Sequence, residues 1–419
     1  MVGFVQYQPR VVDSILADRL TSAGAVVIEG PKACGKTATA SQVAASSVLL
    51  DIDTAAADLA SVAPDLLLEG ETPRLFDEWQ TVPKLWNLTR RAVDERALKG
   101  QFILTGSAVP NDDTNRHTGA GRFSFISMRP MSLYESGQSA GTVSLAELMH
   151  GEFTAAGDPG LAFTDLVDAT VRGGWPAQRD APVDAAAQAA RDYLKQTQEV
   201  DLGRVGLQPK NPAKVGRLLA SLARNVATEA SVATLASDTG NDETVDRKTI
   251  NGYLDALTRL MIVEDQPAWA PHLRSKARLR NAAKRHFVDP SLAVAALATN
   301  TKALIGDLNY FGFLFESLVI RDLRILSQPL GGAVSHYRDS SGQEVDAIVE
   351  LDDGTWAAFE VKLSPDRADE AAASLLAFVE GVDTSKVGKP AALAVITASG
   401  YGYRRDDGVH VVPLATLAP

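Results

Sequence analysis

The run Gly30-Pro31-Lys32-Ala33-Cys34-Gly35-Lys36-Thr37 has the residue types and spacing of a loop that wraps phosphates. Its glycines let successive backbone amides turn inward. Lys36 can bring a point charge to the β- and γ-phosphates, and the Thr37 hydroxyl can ligate Mg²⁺. An apolar strand, Ala25-Val26-Val27-Ile28, precedes the loop and a helix-compatible Ala38-Thr39-Ala40 follows, so Gly30 through Ala38 are the expected ATP contacts. ATP hydrolysis also needs an acidic strand end. Leu75-Phe76-Asp77-Glu78 supplies it, with Asp77 beside Thr37 on the metal and Glu78 polarising the attacking water. In Leu104-Thr105-Gly106-Ser107, Ser107 is placed to sense the γ-phosphate, as is Gln80. Arg122, hinged after Gly119-Ala120-Gly121, is the favoured cation for the charge that develops on the γ-phosphoryl group, with Arg116 and Arg129 as competitors.

A second set of carboxylates lies near the other end of the chain. Glu344-Val345-Asp346 and Glu360-Val361-Lys362 flank the turn signal Asp352-Asp353-Gly354. A hairpin centred on Asp353 places Asp346 opposite Glu360 and Glu344 opposite Lys362, all on one face. The other face, Val345, Ala347, Val349, Leu351, Ala357, Phe359, Val361 and Leu363, reads as core. Carboxylates paired across two strands repel unless a cation separates them, and Mg²⁺ on Asp346 and Glu360 would do so. Lys362 would then stabilise an attacking hydroxide, and Glu316, in an apolar helix, would add a third carboxylate. The set Glu316, Asp346, Glu360-Val361-Lys362 is similar to the signature of restriction-endonuclease-like nucleases. A nuclease-like fold without cleavage, or a merely solvated face, remains open.

From Pro271 to His286 the chain carries Arg274, Lys276, Arg278, Arg280, Lys284 and Arg285 and no acidic residue. Six cations suit a phosphate backbone, DNA before RNA, and would make binding steeply salt-dependent. A solvated helix face or a partner-binding surface is the alternative. Trp269 offers a stacking surface or, more ordinarily, packing. Cys34 sits where amides and Lys36 could lower its pKa, although an unremarkable loop position is the simpler reading.

Three units must position these groups. Residues 1–140 alternate strands (Ala25–Ile28, Val48–Leu50, Arg74–Phe76, Gln101–Leu104) with helical stretches, the pattern of a parallel α/β sheet, and a polar loop covers about 109–121. Residues 141–290 read as helical. Ala213–Ala227, Ser231–Ala236 and Asp246–Leu260, followed by Met261-Ile262-Val263, suggest a winged helix whose Arg247-Lys248 helix meets DNA; a plain helical packing unit is the rival. Residues 291–419 mix helices (Gly312–Leu326, Asp366–Val379) with strands (Val334–Tyr337, Glu344–Leu351, Trp356–Leu363, Leu393–Ile396, Val409–Val412).

Forty-one basic and 52 acidic residues leave a net charge of −11 and a pI near 5.1, which argues against a chain coated all round by nucleic acid. The single cysteine excludes a disulfide framework and a cysteine-built zinc site. No charge-free apolar run spans a bilayer and no signal peptide opens the chain, so the expectation is a cytoplasmic protein.

The order of Tyr7 and Arg10, the phosphate loop, Leu75-Phe76-Asp77-Glu78-Trp79-Gln80, Leu104-Thr105-Gly106-Ser107 and Gly121-Arg122 resembles a large prokaryotic family of AAA-superfamily ATPases. Members carry a C-terminal domain of unknown function related to restriction endonucleases. Arg129-Pro130-Met131-Ser132-Leu133-Tyr134-Glu135, Gly173-Gly174-Trp175-Pro176, Phe287-Val288-Asp289 and Phe315-Glu316 also look like family landmarks. The resemblance implies an α/β architecture: an AAA-type P-loop sheet, a helical or winged-helix middle, and a restriction-endonuclease-like domain. The family places the parts without fixing the task; with the carboxylate cluster and the basic stretch, the expectation is a Mg²⁺-dependent ATPase that binds, translocates or cuts DNA. A trans-acting Arg122 would add a homo-oligomer. The rivals are an ATP-gated DNA-binding or helicase-like protein that does not cut, and an ATP-dependent regulator of protein partners.

Overall fold

Ala25-Val26-Val27-Ile28 has no polar side chain to turn toward water, and β1 (Ala25–Glu29) is accordingly buried on both faces. The computed structural model describes residues 7–106, 118–202, 211–240, 245–271, 282–339 and 342–419. It adds β2 (Ser46–Leu49), β3 (Arg74–Asp77), β4 (Phe102–Gly106) and β5 (Phe123–Ser127) to form a parallel sheet of order β2-β3-β4-β1-β5. Helices α1 (Val11–Ser22) and α2 (Lys36–Ser41) bury Val12, Leu16 and Ala40 on one face. Helices α3 (Thr54–Val62) and α4 (Lys84–Arg96) bury Ala56, Leu85, Trp86 and Val93 on the other. The four strands read from sequence are present with ends shifted slightly, whereas β5 was not anticipated.

The chain then forms β6 (Val143–Ser144), α5 (Leu145–Met149), α6 (Phe163–Arg172) and α7 (Val183–Gln196). Next come α8 (Pro212–Arg224), α9 (Val232–Gly240) and α10 (Arg247–Arg259), then an antiparallel pair, β7 (Val263–Gln266) and β8 (Lys284–Phe287). Asp246 caps α10, its carboxylate accepting from Thr249 N at 2.7 Å, an arrangement that stabilises a helix by about 1 kcal/mol. Backbone pairing of Arg285 with Ala227 and Thr228 adds a third short segment at the hairpin base. Three helices followed by a hairpin is the topology of a winged helix. Helix α11 (Pro290–Ala296) packs on α7 and α8, so the helical unit runs past the boundary placed at 290.

After α12 (Thr301–Gly306), the long α13 (Leu308–Ser327) leads into β9 (Ala333–Arg338), β10 (Glu344–Glu350) and β11 (Trp356–Lys362). Helix α14 (Ala368–Gly381) then crosses to β12 (Ala392–Thr397), followed by β13 (Tyr403–Arg404) and β14 (His410–Pro413). The sheet order is β13-β14-β12-β11-β10-β9, with β9-β10-β11 antiparallel and β11-β12-β14 parallel. Ala347 opposes Phe359 and Ile348 opposes Ala358, the register inferred from the turn.

Both faces of this sheet are covered. Ala347, Val349, Ala357 and Phe359 join a core shared with α13 and the middle helices, including Leu218, Leu257 and Leu292. Ile348, Trp356 and Ala358 pack instead on Leu375 and Phe378 of α14 and on Trp269. The even-numbered face is therefore covered too, which explains why Ile348, Trp356 and Ala358 interrupt its polarity. The last strand, β15 (Leu417–Ala418), pairs with β6, so the C-terminal unit closes back onto the chain just beyond the ATPase sheet.

Candidate functional site

The phosphate loop leaves the C-terminal end of β1, in the interior of its sheet, where parallel strands open a crevice. Two positions need left-handed backbone, Ala33 at φ 62° and Gly35 at φ 108°, and Gly35 is the N-cap of α2. Lys36 is buried and its Nζ donates to the carbonyls of Gly30 (3.0 Å) and Pro31 (2.9 Å). The ammonium thus lies across the loop that would hold phosphates.

Thr37 Oγ1 donates to Asp77 Oδ1 at 2.8 Å, and Thr105 Oγ1 donates to the same oxygen at 2.5 Å. A hydroxyl and a carboxylate side by side, next to a phosphate cradle, suit Mg²⁺. Glu78 follows directly in left-handed conformation, φ 53°. Its carboxylate accepts from Gln80 Nε2, so Gln80 touches Glu78 itself. Ser107 and Arg116 lie outside the described residues.

Arg122 is elsewhere. It precedes β5, which runs parallel to β1, so the length of the strands separates it from the phosphate loop of its own chain. There it is half-exposed and pairs with Asp94 at 2.9 Å. Arg129, the competitor, leaves the loop end of the same strand but is bound to Glu264 of β7.

Arg10 was legible only as a family landmark; the structure makes it a support of the loop. Its Nη1 donates to Cys34 O (2.9 Å), its Nη2 to Arg129 O (2.8 Å), and its guanidinium is ion-paired with Glu135 at 3.0 Å. Beside it, Tyr7, Gln8, Gly35, Ala38, Gln42, Met131, Pro176 and Arg179 line a cavity of about 260 Å³. Its position against α2 suits a nucleoside. Tyr7 donates to Asp13 (2.6 Å) and meets Thr39 Oγ1 (2.9 Å); burial and then Asp13 keep its hydroxyl protonated well above the usual pH. Lys32 reaches out of the loop to Asp201 at 2.5 Å. Burial pushes the Cys34 thiol up despite Lys36 and Arg10, so the activated thiol considered from sequence is not formed.

The other landmarks converge on a buried junction. Asp289 accepts from Gly174 N (2.9 Å), Ser291 N (2.9 Å) and Arg321 Nη1 (2.8 Å), and Asp322 accepts from Leu133 N (2.9 Å). A buried charge satisfied this fully is tolerated, whereas an unpaired one would cost several kcal/mol. Glycine is required at 174, because a Cβ there would sit 2.0 Å from Met131 O.

At the C-terminal cluster the structure brings Glu316, Asp346, Glu360 and Lys362 together and adds Lys284, which sequence reasoning had assigned to DNA. Lys284 Nζ lies 2.6 Å from Glu316 Oε1 and 3.5 Å from Asp346 Oδ1. Lys362 Nζ lies 2.7 Å from Glu360 Oε2 and 4.0 Å from Asp346 Oδ2, which also accepts from Val361 N at 2.9 Å. Two ammonium groups thus occupy the place expected for Mg²⁺. Among the described residues no group of three or more His, Cys, Asp or Glu is arranged to hold a metal ion. Burial, then Asp346, pushes Glu316 up to about 7 and Glu360 up to about 8. Burial opposes the Lys284 charge, but Glu316 and Asp346 hold its pKa above the ordinary value.

Of the basic stretch, Arg274, Lys276, Arg278 and Arg280 lie outside the described residues. Lys284 is buried in the cluster and Arg285 pairs with Asp265 at 3.1 Å, so neither side chain is free for a phosphate. Trp269 is buried against Trp356, with centroids 4.9 Å apart, and donates to Glu350 at 3.1 Å; it packs, and no face is left for a base.

Comparison with known proteins matches three separate stretches of the chain. Residues 22–137 match an AAA domain family, 163–303 a domain of unknown function (DUF8612), and 311–417 another domain of unknown function (DUF4143). The chain therefore carries a P-loop ATPase domain of the AAA type. Uncharacterized proteins of Mycobacterium bovis and Mycobacterium tuberculosis are each 27% identical over 347 residues, 82% of this chain and 71% of theirs. Among solved structures, a signal transduction ATPase with numerous domains and a tetratricopeptide repeat sensor, from Pyrococcus horikoshii, aligns at 14% identity and a TM-score of 0.19. The alignment covers 77% of this chain and half, 50%, of that one. No helix among the described residues is long and apolar enough to cross a membrane.

Proposed function

We propose that this chain is a Mg²⁺-dependent ATPase whose nucleotide cycle acts on DNA held by the winged-helix segment and the C-terminal α/β domain. The observation that carries the reading is the contact of Thr37 with Asp77 beside the Lys36-bridged loop. Lys36 exchanges its two carbonyl partners for the β- and γ-phosphate oxygens. Thr37 and Asp77 would hold the metal ion, which would supply positive charge against the phosphates. Glu78 orients the attacking water and accepts its proton after leaving Gln80. Tyr7, Gln8, Arg10 and Gln42 enclose the nucleoside. Arg122 of a neighbouring copy in a homo-oligomer supplies the remaining cation, since its own loop is a strand length away.

For DNA, the support is the helix trio with its hairpin, the exposed Arg247 and Lys248 at the start of α10, and the basic stretch between β7 and β8. The order α13-β9-β10-β11-α14-β12, with Asp346 accepting from Val361 N beside Glu360, supports a restriction-endonuclease-like fold. Gripping is favoured over cutting because lysines already hold the carboxylates. Phosphodiester hydrolysis at Glu316, Asp346, Glu360 and Lys362 is the second reading, resting on that same strand pairing.

The test follows ATP turnover and DNA integrity together, with single- and double-stranded DNA, for wild type, Lys36→Ala and Asp346→Ala/Glu360→Ala. DNA-stimulated turnover that Lys36→Ala abolishes, with intact DNA, supports the reading. Cleavage lost in the double variant favours the second. Turnover indifferent to DNA would move the search to protein partners.

A further inference from the structure

We infer that the cation of the C-terminal carboxylate cluster is the ammonium of Lys284, and that a docked hairpin and a divalent metal ion compete for the same carboxylates. Lys284 opens β8, the second strand of the hairpin, yet its side chain is buried away from that strand, between Glu316 of α13 and Asp346 of β10. The first strand meets the same residue: Gln266 Nε2 donates to Asp346 O at 2.9 Å. Beyond β7 the chain continues along β9, with Trp269 N donating to His336 O at 2.6 Å and His336 N to Pro267 O at 2.9 Å. Both strands of the hairpin are thus anchored to the sheet that carries the cluster.

Charge arithmetic agrees with the geometry. Three carboxylates, Glu316, Asp346 and Glu360, face two lysines, Lys284 and Lys362, and each carboxylate has an N–H partner. A divalent ion entering this set would meet a fixed positive charge within hydrogen-bonding distance of two of its ligands, a repulsion that low-dielectric surroundings strengthen. Withdrawal of Lys284 removes that charge and frees Glu316 Oε1 and Asp346 Oδ1 together. This inference does not depend on the ATP site, and its test uses no turnover.

Mn²⁺ binding to the nucleotide-free full chain, followed by electron paramagnetic resonance, tests it. Wild type and Asp346→Asn are expected to bind the same number of ions. Lys284→Met is expected to gain one further ion, lost again in Lys284→Met/Asp346→Asn. Lys284→Gln, which can still hydrogen-bond Glu316, replaces Lys284→Met if that variant does not fold. A wild-type ion that disappears with Asp346→Asn would overturn the inference, as would a folded Lys284 variant that gains none.

Discussion

Arg129, two residues beyond β5, holds Glu264 of β7 through two hydrogen bonds, 2.9 Å from Nε and 2.5 Å from Nη2. Arg324 of α13 pairs with the same carboxylate at 3.2 Å. Because Arg10 donates to both Cys34 O and Arg129 O, contacts run unbroken from the phosphate loop to the hairpin. Physical continuity is not yet coupling, which requires that both ends bias one equilibrium. Arg129→Ala is expected to lower unfolding stability by about 2 kcal/mol, the usual worth of hydrogen bonds to a charged group. The coupling question is answered by DNA: if the contact transmits, Arg129→Ala and Glu264→Gln each abolish DNA stimulation while basal ATP turnover survives. Undiminished stimulation in both would remove this contact from the mechanism.

In the proposed mechanism Glu78 orients the attacking water, while Thr37 and Asp77, hydrogen-bonded to each other, would hold the metal. Glu78→Gln should therefore lower kcat by about 10²–10⁴-fold, the range for a lost general base, with nucleotide affinity nearly unchanged. Fluorescent-nucleotide binding beside single-turnover hydrolysis separates the two effects. A variant that loses affinity in step with rate would make Glu78 a binding residue.

Arg10 supports the loop through its backbone. Arg10→Lys keeps the charge but cannot donate to Cys34 O, Arg129 O and Glu135 at once. The expected result is a KM for ATP raised about tenfold or more, with kcat less affected, because the loop must then be ordered at the expense of nucleotide binding energy. An unaltered KM would show that the loop holds its shape without Arg10.

How much of this was legible depends on how local the determinant is. The phosphate loop, Asp77 and the β10–β11 register follow from spacing alone, since a strand alternates every residue and the Asp352-Asp353-Gly354 turn sets the pairing. Lys284 could not be placed that way. It sat in a basic stretch, and only the tertiary pairing of Lys284 Nζ with Glu316 shows that its charge is spent internally. The placing of Arg122 needed the structure for a similar reason: a glycine-hinged arginine after the phosphate loop in sequence lies at the far end of a parallel strand in space, which leaves only a role in trans to be proposed. Strand β5 itself was missed because Phe123-Ser124-Phe125-Ile126-Ser127 is short, half-polar and at a sheet edge.

Arg122 and Asp94 form an exposed pair, and such pairs contribute about 0–1 kcal/mol, so Arg122→Ala should leave the melting temperature nearly unchanged. A trans role gives a sharper expectation. Specific activity of wild type would rise with protein concentration, and Arg122→Ala would remain low throughout. Mixing Arg122→Ala with Glu78→Gln would restore turnover, because one copy then lends its arginine and the other its glutamate. Failure of mixing, with concentration-independent wild-type activity, would exclude that role.

Two groups near the hairpin titrate with opposite sign. Burial, then Lys284, lowers His336 to about 4, with Arg338 adding to the shift and Asp346 opposing it; Glu229 lies 3.8 Å away. Its folded pKa is below its unfolded value near 6.5, so its contribution is complete above pH 6.5 and lost as pH falls toward 4. Glu360 is raised to about 8 by burial and Asp346, so its contribution is complete below the usual carboxylate pKa and lost as pH rises through 8. Glu316, raised to about 7 by burial and Asp346, loses its contribution in the same direction as Glu360, so the two carboxylates outweigh His336 and the thermal unfolding midpoint should fall as pH rises from about 4.5 to 8. His336→Gln should steepen that fall below pH 6.5, and Glu360→Gln should flatten it. Variant curves parallel to wild type across the whole range would show that neither group sets the pH dependence.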